Sequence, residues 1–285
     1  MKLLRKIAVQ ELYVLMMAPA LLWQLLFFYC PLLFIIFRVF WVNGLGISQF
    51  AEHVHIFTSI PYFLIIGRSL LLAMITAVCS FMCAYPVAYY LAFCSSSVKN
   101  ILFFFLMVPF WTNFLVQVYA WFFVLSPMGL LNSFLSMVGW SGAPLHLLNT
   151  DYALYIVMVY SYIPFMIFSL YISLEKLDKK LLEASLDLGA TPLKTFFAVT
   201  IPLSSSGIIS GFFLVFIPAF CDFVIPIIVG GGKKIYVGTL LYHYFIVTRD
   251  VSMGASFILY SGIIFSAVLL LLLGILNKMI GSYRI

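Results

Sequence analysis

The chain has 285 residues, of which 65% are hydrophobic, 18% aromatic and only 8% charged, whereas about a quarter of an ordinary globular chain is charged. With a mean hydropathy of +1.17, this length holds several apolar spans of about 20 residues each and leaves no room for a separate water-soluble domain. The formal charge of +6 is distributed as membrane topology distributes it, which points away from nucleic acid as a partner.

Six apolar segments follow one another, at about 12–40, 62–93, 101–125, 151–174, 203–229 and 254–277. They are continuous and rich in Leu and Phe, without the period-two alternation of a membrane barrel, so the fold class is an all-α polytopic membrane protein with six transmembrane helices. The first segment contains Ala18-Pro19-Ala20, which resembles a signal-peptidase site. Its apolar run continues to Phe40, beyond the length of a signal core, which predicts a retained helix. The second exceeds 30 residues and is expected to tilt, to bend near Pro86, or to extend beyond the bilayer.

Lys and Arg divide unequally between the two sets of loops. Lys2, Arg5, Lys6, Lys99, Lys176, Lys179, Lys180, Lys194, Lys278 and Arg284 lie on one side; Lys233, Lys234 and Arg249, with Arg38 and Arg68 near that face, lie on the other. The positive-inside rule makes the first side, with both termini, cytoplasmic. The outer loops are then about 41–61, 126–150 and 230–253, the middle one with a short interfacial helix near Met128–Leu135. The expected organisation is residues 1–61 as tail, first transmembrane helix and outer loop, and 62–285 as the transmembrane core.

Charge gathers in one place. The 20 residues Glu175–Lys194 hold four of nine acidic and four of fifteen basic residues. Leu177, Leu181, Ala184 and Leu188 recur at the spacing of an amphipathic helix, with Asp178, Lys179, Lys180, Glu183 and Asp187 on its other faces. Gly189 stands where a helix takes a left-handed C′ residue, and Thr191-Pro192 reads as N-cap and N1 of a second helix. The expectation is a cytoplasmic helix–turn–helix at 175–202 leading into the fifth span, suited to a groove on another protein.

Glu183-Ala184-Ser185, three residues, Gly189, nine residues, then Val199-Thr200-Ile201-Pro202 resembles the EAA loop of importer-type ABC transporter permeases. That motif runs Glu-Ala-Ala, three residues, Gly, nine residues, Ile-x-Leu-Pro. Ser185, Val199 and Ile201 depart from it conservatively. Val108-Pro-Phe-Trp-Thr-Asn113, Glu175-Lys-Leu-Asp-Lys179 and Ile217-Pro-Ala-Phe-Cys-Asp-Phe-Val-Ile-Pro226, followed by Gly230-Gly231, resemble the first permease subunit of the spermidine/putrescine subfamily, over about 60–285.

The resemblance implies a type I importer fold, with a five-helix core and a peripheral first helix, in the bacterial cytoplasmic membrane. It implies that Glu183, Ala184, Ser185, Gly189 and Pro202 couple to a cytoplasmic ABC ATPase dimer. It also implies a second, homologous permease subunit and an extracytoplasmic substrate-binding protein. ATP and Mg²⁺ would then bind the partner ATPase and no cofactor this chain. Gly230-Gly-Gly-Lys-Lys is not a Walker A motif, because Ile227 and Lys234 stand where Gly and Ser or Thr are required. No nucleophile–base–acid constellation is present either, so the chain by itself is not expected to be an enzyme.

A path for flexible cations needs carboxylates, aromatic faces and hydroxyl or amide oxygens. Asp222, between Pro218 and Pro226, is an acid within a span, where facing lipid costs roughly 2.5–3.5 kcal/mol; the bland alternative pairs it with Lys233 or water at the outer mouth. Trp111 and Asn113 follow Pro109, and Tyr119 and Trp121 belong to the same wall or to the interfacial aromatic belt. The five cysteines lack CxxC spacing and read as packed apolar side chains. His53 and His55 form a loop pair without further ligand types. Competing readings are a permease of the same fold for iron, sulfate, thiamine or a phosphonate, and a secondary transporter, which would usually carry a charge relay or internal repeat.

Overall fold

The computed structural model describes residues 16–41, 46–139 and 142–281. The basic residues Lys2, Arg5, Lys6 and Arg284 lie outside them. Among the described residues the chain is helical and has no strands. Thirteen helices run in order: α1 (16–41), α2 (Gly46–Phe57), α3 (Ile60–Phe93), α4 (Ser96–Trp111), α5 (Phe114–Leu125), α6 (Leu130–Met137), α7 (Asp151–Glu175), α8 (Lys179–Asp187), α9 (Pro192–Leu203), α10 (Ser205–Cys221), α11 (Val224–Ile228), α12 (Val237–Val247) and α13 (Val251–Gly281). Among the described residues α1, α3, α7 and α13, together with the stretch Phe114–Met137 that contains α5 and α6, are long and apolar enough to cross a membrane, and a sixth span appears when α9 and α10, bent by 66°, count as one.

The chain divides into two compact units, residues 1–59 with 244–262 and residues 60–243 with 263–285, so that α12 and α13 contribute to both. In the first, α1 carries a π-turn at Leu25–Tyr29 and packs on α2. The described outer surface of α1 is apolar apart from Gln24 and the Tyr29 hydroxyl, with Met16, Trp23, Phe27 and Leu33 exposed, as suits a helix bathed in lipid. Phe57 at the end of α2 is buried against Phe257 and Tyr260 of α13. His53 Nδ1 lies 2.9 Å from Ser256 Oγ. The stretch 41–61, expected as a loop, therefore contains a helix, and His53 and His55 sit about 200° apart around it rather than side by side.

The second unit is built on α3, α7 and α10, which pack on one another pairwise. Hydrophobicity does not drive helices together inside lipid, so close backbone approach must. Along α3 the small residues Ser69, Ala73, Ala77, Ser80, Ala84 and Ala88 recur on one buried stripe. On α10, Gly207 and Gly211 form a small-xxx-small pair. A Cβ on Gly207 would lie 2.5 Å from Ser173 Cβ, and one on Gly211 2.7 Å from Met166 Sδ. Ser169 Oγ donates to the Gly207 carbonyl at 3.0 Å and bonds Ser210 Oγ at 2.7 Å. Hydroxyls thus close the α7–α10 seam where the glycines admit it. Phe265 of α13 stacks on Phe216 and Phe220 of α10.

The second span, expected to tilt, to bend near Pro86 or to extend beyond the bilayer, is α3, continuous through Pro86 over 34 residues, about 51 Å. Other spans differ from their sequence expectation. The third span is two helices broken at Thr112-Asn113. The fifth stops at Cys221, short of residue 229, and restarts at Val224. Within 230–253, expected as a loop, stands α12. Its start is fixed by the Tyr236 N–H on Thr239 Oγ1 (2.7 Å) and the Val237 N–H on Ser69 Oγ of α3 (2.8 Å). The short helix expected near Met128–Leu135 is α6, which exposes Leu130, Phe134 and Met137.

Candidate functional sites

α7 is 25 residues long, about 37 Å, enough to cross the hydrocarbon core, and an ion pair marks each of its ends. At the start, Lys234 Nζ lies 2.5 Å from Asp151 Oδ2; at the finish, Lys99 Nζ lies 3.0 Å from Glu175 Oε1. The Tyr171 hydroxyl and Lys99 together hold the Glu175 carboxyl below its ordinary range. The charged segment begins at Glu175.

Asp178 caps α8, its Oδ1 accepting the Lys180 N–H at 3.0 Å. α8 therefore begins at Lys179, two residues later than the apolar spacing suggests. Its end is a Schellman turn: the Gly189 N–H donates to Leu186 O (2.9 Å) and the Ala190 N–H to Ser185 O (3.2 Å), with Gly189 at φ +83°. Thr191 Oγ1 then accepts the Lys194 N–H at 3.3 Å, with Pro192 in the first turn of α9. The expected helix–turn–helix is present, stop and start signals included.

The apolar stripe of α8 is not turned into the protein. Leu188 is 89% exposed, Leu181 49%, and Ala184 and Glu183 are also exposed. The face that packs inward carries Leu182 and Ser185, whose hydroxyl lies 3.0 Å from that of buried Thr195 on α9. A rigid, capped helix thus presents Leu181, Ala184 and Leu188, rimmed by Lys180, Glu183 and Asp187. α9 contains a π-turn at Phe196–Thr200 just before Pro202, which lacks an N–H for the ladder. The 66° bend into α10 follows at Ser204.

The two broken spans form the second candidate site. Asn113 caps α5, its Oδ1 accepting the Leu115 N–H at 2.8 Å. Thr112 Oγ1 donates to the Pro109 carbonyl at 2.8 Å, and the Gln117 amide donates to the same carbonyl. Thr112 and Asn113 are nevertheless exposed, as is Trp111 at 75%. Irregular polar backbone at membrane depth cannot face lipid; it lines a wet cavity or meets another protein. Tyr119 is exposed on α5, and Trp121 packs edge-on to Tyr160.

At the other break Asp222 is only 7% exposed. Its Oδ1 accepts the N–H groups of Val224 (2.9 Å) and Ile225 (3.3 Å), fastening α11, and its Oδ2 accepts the Tyr162 hydroxyl at 3.0 Å. Lys233 is turned to the Asn149 carbonyl instead (3.1 Å). α5 and α11, the segments that follow the two breaks, pack on each other, so the structure brings the breaks into one region. Gln117 and Tyr162, which complete them, escaped sequence reasoning. A buried acid implies a donor, but nothing in sequence separations of 5 or 60 residues names it. Among the described residues no group of three or more His, Cys, Asp or Glu is placed to hold a metal.

Residues 84–282 match the family described as binding-protein-dependent transport system inner membrane component. The chain is 41% identical over 195 residues, 68% of its length and 71% of the relative's, to the spermidine/putrescine transport system permease protein PotB of Escherichia coli K12. Its fold resembles that of a bacterial ABC transporter involved in import of the acidic polysaccharide alginate (TM-score 0.72, 17% identity, all of both chains). The alginate ABC transporter in complex with a pentasaccharide-bound periplasmic protein gives TM-score 0.71 at 17% identity, covering 98% of this chain and 97% of that one.

Proposed function

The chain belongs to the binding-protein-dependent transport system inner membrane component family, and from that premise we propose that it is one of two membrane-spanning subunits of an ATP-driven importer for spermidine and putrescine. The observation that carries this is the α8–α9 hairpin. A capped helix in register with the coupling motif offers an exposed leucine stripe that a soluble loop would bury or replace with polar residues. An ABC ATPase dimer, binding ATP and Mg²⁺, supplies the groove for Glu183, Ala184 and Leu188, while Ser185, Gly189 and Pro202 keep the hairpin rigid and aimed.

The substrate preference rests on the PotB relatives and on the residues at the breaks. Trp111, Asn113 and Tyr119 offer exposed aromatic and amide surface suited to ammonium groups, while Trp121, on another side of α5, backs that surface through Tyr160 and Asp222 supplies negative charge from behind it. A second, homologous permease completes the wall, and an extracytoplasmic binding protein delivers the cation to the face carrying Asp151 and Lys234. Both termini and α8 lie in the cytoplasm. The test is purification of the tagged chain followed by uptake of labelled spermidine in proteoliposomes. ATPase co-purification and ATP-dependent uptake, competed by putrescine but not by sulfate or ferric ion, are expected. Loss of the label to a non-polyamine competitor would overturn the substrate assignment.

A further inference from the structure

We infer that Tyr85 is a positioning residue for energy coupling, the side chain through which the hairpin grips the membrane-spanning bundle. The inference rests on the importer function proposed above and adds to it a contact beyond the coupling motif. The Tyr85 hydroxyl of α3 lies 3.0 Å from Ser204 Oγ, and both residues are buried, at 5% and 0% exposure. Ser204 Oγ also donates to the Ile201 carbonyl at 3.1 Å, so its lone pair accepts and Tyr85 donates. This bond sits on the residue where the chain turns 66° from α9 into α10.

The remaining contacts lead back to the hairpin. Phe196, opening the π-turn, meets the Tyr85 ring edge-on at 5.4 Å and the Tyr89 ring at 6.0 Å. Its neighbour Thr195 bonds Ser185 of α8. Force applied to α8 thus passes through Thr195 and Phe196 to Tyr85, and so to α3, the longest helix of the core. At Pro202 the ladder lacks one N–H, so the segment can pivot there. The Tyr85–Ser204 bond fixes the axis of that pivot to α3; without it, rotation of α8 would be absorbed at the bend.

The test uses the assembled transporter in proteoliposomes and reads spermidine molecules imported per ATP hydrolysed. Tyr85→Phe keeps the ring on Phe196 and removes only the hydroxyl; Ser204→Ala removes its partner. Each is expected to lower the ratio about five-fold, the size of one buried neutral hydrogen bond, with ATPase co-purification unchanged. The double variant is expected to fall no further, because both changes cut one link. A merely structural role would lower protein abundance and both rates together, leaving the ratio at the wild-type value. That result, or an additive double variant, overturns the inference alone. A wild-type chain that purifies without an ATPase overturns the importer reading and this inference with it.

Discussion

At the scale of single residues, Asp222 combines two duties that a substitution can separate. Its carboxylate fastens α11 through two backbone N–H groups and accepts the Tyr162 hydroxyl, and in the proposed path it supplies charge. Asn caps a helix about as well as Asp, so Asp222→Asn preserves the fastening while removing the charge. Uptake is expected to fall about ten-fold or more, the scale of a hydrogen bond to a charged group, at equal membrane abundance and with the ATPase still bound. Tyr162→Phe keeps the charge and loses one bond, and should cost less uptake than Asp222→Asn. Wild-type uptake kinetics in Asp222→Asn would assign the residue to structure alone. Equal losses in both variants would show that fastening, not charge, matters.

At the scale of elements, the α8–α9 hairpin depends on a backbone conformation more than on space. Gly189 is at φ +83°, yet a Cβ added there would meet nothing within 4 Å. Substitution therefore strains the turn without any clash. A β-branched side chain is a poor fit to the left-handed region, whereas Asn enters it readily. Gly189→Val is expected to weaken ATPase co-purification strongly while the chain still inserts in the membrane, and Gly189→Asn to leave most of it. If both variants retain the ATPase equally, the turn does not set the docking geometry. The Lys99–Glu175 pair at the root of the hairpin stays formed through neutral pH. Glu175 is held below its usual range and Lys99 above its own, so the pH must fall through the depressed pKa of the carboxyl, or rise through the raised pKa of the amine, before the pair is lost.

For the molecule as a whole, the two ion pairs at the ends of α7 give the topology a direct test. With the five native cysteines changed to alanine, Lys234→Cys should react with an impermeant maleimide in intact cells and Lys180→Cys only after the cells are opened. The reverse labelling would put α8 outside, where no ATP-hydrolysing partner waits, and would overturn the proposed mechanism. Both side chains are exposed in the chain by itself; because Lys180 rims the face proposed to seat the ATPase, the opened-cell label is read on membranes stripped of that partner.

Composition and apolar run length alone determined that this is a polytopic helical membrane protein, because the bilayer demands about 20 apolar residues per crossing and satisfied backbone groups within each. Local chemistry determined the hairpin as well: Gly189, Thr191 and Pro192 act on backbone within four residues of themselves, so their roles are visible in one dimension, whereas Asp178, read as lying on a face of the helix, is its cap. The long-range choices were decided only in three dimensions. Nothing in the spacing of Tyr85 and Ser204, or of Tyr162 and Asp222, foretells that they meet across 119 and 60 residues. The Gly207-xxx-Gly211 signal was present in the sequence, yet its partner surface on α7 was not. Which way α8 turns its leucines was also beyond sequence, since an amphipathic stripe has the same period whether it packs on its own protein or waits for another. The packing of Ser185 against Thr195 settles that choice, by holding the opposite face of α8 inward.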